Sequence, residues 1–549
     1  MPLRAGAMIA AADQRAGTTE APSRALMLAA GVIFAAVLGL RLALIFTGRV
    51  TADAEECVLG LMARHVLAGK GHLLDFLGPG VGPGAGLEAY LLSLIFALAG
   101  SSSVAIKLVG LALWSGLVLV SWRLSRALFD RRTGALTLLL LAAAPTTALW
   151  AMKVRGGYLS APSLFLAAGL LSLPLLTRSG AQGPRKKFMA LPESVGLLAG
   201  LSVWLQPLTA AGVLVLLASA AVILGTRRQW AILMRMIAAP LVMGAIVFFL
   251  LPSSAAPLTG TGTGDYLPPP SIFVRLAASL VGFFTPHLDA NILDQPEQDL
   301  LLLAAQLSAA LLWSAVFLLA LVWSGANWRR IQSRQEALAI GLVLAVIGAT
   351  LVGVALAGRT RLEPRHFLTL YPLTGIIIAR MLENMSQDHP GLSRTLLGLL
   401  ILSGLAVSAS FLAETKFYNP GSPTGLTLES TPAALQSLHR HGVKGVFCAD
   451  AEFKWNLMFE SGEEFPARSW NPVDMYPEYV AAANRAALRD QPVAVVIPNP
   501  DLPERRDLLD QILSGPYSQK VYTSPDVVIV YGVPQDYVFL YFPLKIPGR

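Results

Sequence analysis

Charge is scarce in this chain: Asp, Glu, Lys and Arg make up 14% of its 549 residues, against about a quarter in an average soluble domain. With 54% hydrophobic residues and a mean hydropathy of +0.59, a water-soluble fold with a charged shell is excluded and a polytopic membrane protein is expected. Cysteine is scarcer still. Cys57 and Cys448 lie far apart, with neither CxxC nor metal-ligand spacing, so a disulfide framework or a zinc site has no basis and both read as structural thiols. Histidine forms no cluster either: His65 and His72 stand alone, and His287 beside Asp289 has no third ligand in sight. No cofactor is implied, and dependence on a divalent metal ion stays open. The net charge of +8 would suit nucleic acid, yet the Lys and Arg residues fall in short clusters between apolar runs, as cytoplasmic loops do. Nucleic acid is therefore not an expected partner.

What is abundant is apolar sequence. Runs near the roughly 20 residues that span a bilayer begin close to Ala25, Val104, Gly134, Tyr158, Val195, Thr209, Met234, Asp299, Ala337, Phe367 and Arg394. About eleven transmembrane helices follow. The first run, from Ala25 to Phe46, is too long for a signal-peptide core and reads as a retained anchor. Counting each run once puts "RLSRALFDRR", "TRSGAQGPRKKF", "GTRRQW", "NWRRIQSRQ" and "NMSQDHPGLSR" on one side, which the excess of Lys and Arg marks as cytoplasmic. Residues 1–24 then form a cytoplasmic tail and residues 25–414 a transmembrane domain whose first outward loop covers 48–103. Within that loop "LEAYLLSLIFALAG" is expected to lie on the outer leaflet as an interfacial helix. Two Gly/Pro-rich stretches, 77–86 and 258–270, read as long mobile loops of the kind that can cover a site.

Residues 415–549 differ in kind. Helical patterns such as "AALQSLHRHG" and "PEYVAAANRAALRD" alternate with short Val-rich runs, "PVAVVIPNP" and "VVIVYGV", which predicts a small extracytoplasmic α/β domain.

Chemistry concentrates just after the first span. "TADAEECVLGLMARHVL", residues 51–67, holds Asp53, Glu55 and Glu56 within four positions. Asp53 and Glu56 have capping-box spacing, so a structural role is open to both beside a role in the site. On a helical wheel Glu55 heads the stripe of Val58, Leu59, Met62 and Val66, with Arg64 opposite. A carboxylate turned toward an apolar face is costly unless a cation, a polar cavity or a substrate meets it, which makes Glu55 a site candidate. Lys153 and Arg155 end the third span, and Arg359, Arg361, Arg365 and His366 precede the tenth, so two basic groups remote in sequence could converge on one phosphate; snorkelling to lipid headgroups is the plainer alternative. Tyr158 could stack on a sugar or sit in the interfacial aromatic belt. Glu88, in the first turn of the interfacial helix, could serve the helix dipole or an acceptor site. Glu452, Trp455, Glu460 and Trp470 in the tail read as surface and core residues.

An outward loop opening on an acidic pair, then "GLMARHVLAGK", "GLEAYLLSLIFALAG", "RLSRALFDRRTGALTLLLLAAAPTTALW", "MKVRGGY", "EPRHFLTLYPL" and a tail with "FESGEEF" resembles the bacterial GT-C glycosyltransferases. The likeness is to the branch of the protein O-mannosyltransferases and the lipid A aminoarabinose transferases, and it runs along nearly the whole chain. It implies a transferase that takes a sugar from a polyprenyl-phosphate-linked donor and gives it to an envelope acceptor, lipid, glycan or protein, at the outer face of the bacterial inner membrane. Membrane lipids surround it. The family's Asp-Glu pair falls on Glu55 and Glu56, so Glu55 is the implied catalytic base, one methylene longer than usual, with Asp53 as the alternative. Asp53, Glu56, Glu88, Lys153, Arg155, Tyr158, Arg361, Arg365 and His366 are the implied substrate-binding set. The chain also departs from the family after Tyr158, where relatives often carry another acid and "LSAP" stands here. A flippase for lipid-linked sugars and a non-catalytic relative of the same fold are the alternatives.

Overall fold

The computed structural model describes residues 3–48, 50, 52–70, 85–144, 150–177, 190–250, 300–327, 334–356, 367–413, 430–469, 476–501, 503–514, 521–523 and 527–544. Helices α1 (Leu3–Phe46), α2 (Ala54–Leu67), α3 (Ala85–Ala99), α4 (Ser103–Leu128), α5 (Arg131–Ala143), α6 (Ser160–Thr177) and α7 (Leu191–Leu205) come first. They are followed by α8 (Ala210–Thr226), α9 (Trp230–Leu250), α10 (Leu300–Ala326), α11 (Arg334–Leu356), α12 (Tyr371–Asp388) and α13 (Pro390–Ala413). Each of the eleven expected apolar runs coincides with one of these helices. Among the described residues six stretches, in α1, α4, α8, α10, α11 and α13, are long and apolar enough to cross a membrane, and four further apolar helices are shorter. The protein is a polytopic helical membrane protein.

Helix α5 has almost every side chain from Thr133 to Ala143 buried, because it is enclosed by α1, α4, α12 and α13. Helix α3, with 15 residues, rises only about 22 Å, less than the ~30 Å of hydrocarbon, so it is too short to cross upright.

Two polar ends bracket the bundle. At one, Asp130 caps α5 through Thr133 N (2.8 Å), and Arg380 of α12 bonds both Asp130 (2.7 Å) and Glu336 of α11 (2.6 Å). Arg132 pairs with Glu383 at 3.1 Å beside them. Segments expected on one side of the membrane thus meet at one place. At the other end of α4, roughly 35 Å away at 1.5 Å per residue, Lys107 enters the candidate site.

The C-terminal part runs α14 (Ser430–Arg440), β1 (Gly445–Cys448), α15 (Phe453–Glu460), β2 (Ala467–Arg468), α16 (Pro477–Leu488), β3 (Val493–Pro498), α17 (Pro503–Leu513), β4 (Val521–Thr523), β5 (Val527–Tyr531) and α18 (Gln535–Tyr541). Its sheet has the order β2-β1-β3-β5-β4, with β1 parallel to β2 and β3, and β5 antiparallel to β3 and β4. The two-residue period of the strands divides the core. Phe447, Val495, Ile497, Val528 and Val530 face one cluster, while Val446, Cys448, Ala494, Val496 and Ile529 face another that continues into Val58, Leu61 and Met62 of α2 and Leu92 of α3. The α/β domain and the first loop share one hydrophobic core.

That shared core fixes the docking. Helix α15 lies against α2, and a methyl group placed on Gly60 would run into the ring of Phe459. Arg64 donates to the carbonyl of Phe459 at 2.6 Å and stacks over its ring at 4.2 Å, and Asn456 Nδ2 donates to the carbonyl of Ala52 at 3.0 Å. His65 meets Glu463 at 2.8 Å, and the Tyr479 hydroxyl donates to the same carboxylate at 2.9 Å.

Candidate active site at the start of the first-loop helix

The site is built where α2 begins. Asp53 is the N-cap: its Oδ1 accepts from Glu56 N at 3.0 Å, and Glu56 Oε2 accepts from Asp53 N at 3.0 Å, completing the capping box. Capping uses only part of each carboxylate. Asp53 Oδ2 also accepts from Lys153 Nζ at 3.1 Å and from Arg155 Nε at 2.7 Å, with Arg155 Nη2 on the same oxygen. Glu56 Oε1 accepts from Val154 N at 3.0 Å, and its Oε2 pairs with Lys107 Nζ. The loop from 150 to 160, between α5 and α6, therefore lays three consecutive residues, Lys153 to Arg155, across the cap of α2.

Burial and charge set the electrostatics. Burial alone would raise Asp53, but Arg155, Lys153 and Lys107 together outweigh it and hold its carboxyl well below the usual range. Glu56 is pushed the other way by burial, reinforced by the charge of Asp53 and opposed by Lys107. Burial first, and the charge of Arg155 second, push Lys153 down to about 8. Arg155 is held above its ordinary value: burial works against it, and the charges of Asp53 and Glu55 prevail.

The helical wheel pointed Glu55 at the buried face, and here the structure corrects it. Asp53 and Glu56 are the buried acids, while the Glu55 side chain is 41% exposed and touches Arg155 Nε at 3.5 Å. The reason is that α2 packs against α3, α4 and α15 at once, so Cys57 to Ala63 are all buried and no single stripe defines the inside. Glu55 keeps its exposure on the side where it meets Arg155.

The other candidates take these places. Lys153 and Arg155 are buried and engaged by Asp53, so as seen here they belong to the carboxylate cluster. Tyr158 is half-buried, its ring 5.9 Å from that of Trp150, whose face lies 5.5 Å from Lys153 and 5.4 Å from Arg155. Glu88 is 2% exposed and accepts a hydrogen bond from Ser160 Oγ at 2.6 Å, at the far end of the same loop. Arg359, Arg361, Arg365 and His366 lie outside the described residues, as do the stretch 258–270 and most of 77–86.

Two further residues belong here that sequence reasoning did not single out, Lys107 and Trp150, and a third, Glu452, that it read as a surface or core residue. Lys107 is a lone cation in the apolar run "SSVAIKLVGLALW", which is itself a signal. Trp150 opens the loop and packs against Lys153, Arg155 and Tyr158 within it, and no pattern marked it. Glu452 comes from the α/β domain, as the residue before α15, one turn ahead of the Asn456 that bonds Ala52. Burial raises its carboxyl to about 7, helped by the charges of Asp450, Glu55 and Asp53 and opposed by Arg155. Among the described residues no group of three or more His, Cys, Asp or Glu side chains could hold a metal ion.

No family model matches the chain, and no curated protein does. Solved structures do match. ArnT from Cupriavidus metallidurans in the apo state superposes with a TM-score of 0.59 at 13% identity, over 91% of this chain and 97% of that one. The same protein bound to undecaprenyl phosphate gives 0.60 at 14% identity over the same shares. An oligosaccharyltransferase from Archaeoglobus fulgidus gives 0.49 at 12% identity, over 88% of this chain and 70% of that one. The chain has the GT-C fold.

Proposed function

We propose that this membrane protein is a glycosyltransferase that moves a sugar from a polyprenyl-phosphate-linked donor to a hydroxyl of an envelope acceptor, lipid, glycan or protein, with inversion and with Glu55 as general base. Two things support the reading: the fold shared with ArnT, a structure of which holds undecaprenyl phosphate, and one exposed carboxylate set on a buried cation. That carboxylate is the observation that carries it. Asp53 is saturated by Arg155, Lys153 and the helix cap, which makes it a poor proton acceptor, and Glu56 is sealed from solvent. Of the three acids, Glu55 is the one whose side chain is exposed.

The chemistry is a single displacement. Glu55 takes the acceptor proton as the acceptor oxygen bonds the anomeric carbon; the bond from that carbon to the phosphate oxygen breaks, and polyprenyl phosphate leaves with both electrons. Attack from the face opposite the leaving group inverts the centre. The departing phosphate needs cations that are not already spent on Asp53, and Arg361, Arg365 and His366 are assigned that task from sequence, beside the field of Lys153 and Arg155. Tyr158, whose ring lies beside Trp150, is assigned the packing against the sugar. The site belongs at the outer face of the inner membrane, where such a donor and acceptor meet, with the α/β domain outside.

Transfer from synthetic polyprenyl-phosphate sugars in purified membranes tests this. Glu55→Gln should lower kcat by about 10²–10⁴-fold, the range for a lost general base, with donor KM changed only a few-fold. Intact transfer in both Glu55→Gln and Arg365→Ala would overturn the site. Donor translocation across proteoliposomes without any transfer would instead establish the flippase reading.

A further inference from the structure

The loop that carries Lys153 and Arg155 is held at both ends by carboxyl groups. Asp53 and Glu56 take its first half, through Lys153 Nζ, Val154 N and Arg155 Nε. Its second half turns on Gly156 and Gly157, at φ values of +54° and +94°, and closes on Ser160, which donates to Glu88 Oε1 at 2.6 Å. Glu88 comes from a separate element, α3, and is 2% exposed. Its second oxygen, Oε2, is buried with no hydrogen-bond partner among the described residues.

A buried carboxylate with an idle oxygen is costly, and the cost falls when that oxygen carries a proton. We propose that Glu88 is a positioning residue: as a neutral acid it clamps the Gly156–Ser160 end of the loop to α3, and thereby sets where Arg155 and Lys153 stand beneath Glu55. Burial, which outweighs the hydrogen bonds from Ser160, Gly157 and Gly156, raises its carboxyl and agrees with the neutral form. The alternative, that Glu88 faces an acceptor, does not suit a side chain this enclosed. The catalytic consequence rests on the glycosyltransferase reading; the clamp itself does not.

Hydrogen exchange of the full-length protein in nanodiscs separates the two. Glu88→Ala should speed amide exchange across residues 153–160 by tenfold or more and lower kcat/KM for a polyprenyl-phosphate sugar by at least tenfold. Glu88→Gln, an uncharged isostere, should restore both to within about threefold of wild type, whereas an essential negative charge would leave it as impaired as Glu88→Ala. Ser160→Ala removes one bond without opening a large cavity and should give an intermediate exchange rate, which keeps the test alive if Glu88→Ala does not fold. Wild-type exchange across 153–160 in both Glu88→Ala and Ser160→Ala, or failure of Glu88→Gln to restore protection, overturns the clamp. Altered exchange in a protein whose wild type transfers no sugar would leave the clamp standing and remove the glycosyltransferase reading instead.

Discussion

At Glu452 the fold holds a proton that an unfolded chain would release. Its carboxyl rises from an ordinary 4.5 to about 7, because burial and the neighbouring acids Asp450, Glu55 and Asp53 disfavour the charged form. The native state therefore binds more protons than the unfolded state between those values, and stability falls as pH rises from about 4.5 to about 7, then stays level. Thermal unfolding of the detergent-solubilised protein should show Glu452→Gln more stable than wild type at pH 8 and equal to it near pH 4.5. An offset that does not vary with pH would refute that assignment. Lys107 and Glu56 make the opposite case. Both are buried and paired, so Lys107→Met strands a carboxyl in an apolar setting and should cost roughly 3–5 kcal/mol, seen as a large drop in Tm, while the double change with Glu56→Gln recovers much of it.

At the scale of the element, the 150–160 loop works because two adjacent glycines do different jobs. Gly156 needs only its left-handed backbone, since nothing lies within 4 Å of a Cβ placed there. Gly157 needs space as well: a Cβ would stand 2.5 Å from the carbonyl oxygen of Leu205 at the end of α7. Gly156→Ala should cost about 1–2 kcal/mol from backbone strain, and Gly157→Ala clearly more, with loss of transfer as the loop is pushed off the cap of α2. Paired Tm and transfer measurements on the two variants check the order. Equal effects would mean that the loop yields where α7 meets it.

Across the whole molecule, the bundle carries two separate charged clusters, one at each end of α4. The Arg380 cluster ties α5, α11 and α12 far from the site, so Arg380→Ala should lower Tm while leaving donor KM within about twofold, an additivity expected of distant sites. At the site end, the α/β domain is no appendage, because its core runs into α2 and its Glu452 faces the cluster. Gly60→Leu would drive α15 away through Phe459. Faster exchange in residues 52–57 together with lost transfer is the expected outcome, and unchanged exchange would show that α15 does not hold the start of α2.

Much of this architecture is written in local patterns. Apolar runs near membrane length, a D-x-x-E at the start of α2, Val-rich segments alternating with helices, and basic clusters between spans need only neighbouring residues to be read, and the helices and strands follow them. Pairing across sequence is another matter. That Lys107 belongs to Glu56, that Ser160 answers Glu88, and that a carboxyl from residue 452 stands near Glu55 depend on which helices approach one another. A buried charge demands a partner without naming it. The wheel misplaced Glu55 for the same reason, since its buried side was to be found only by knowing what packs on α2. Composition and local pattern by themselves determined a membrane protein with an acidic stretch at the start of α2; tertiary packing decided which acid is locked, which is sealed and which is left exposed, because desolvation and ion pairing act through space and take no account of sequence distance.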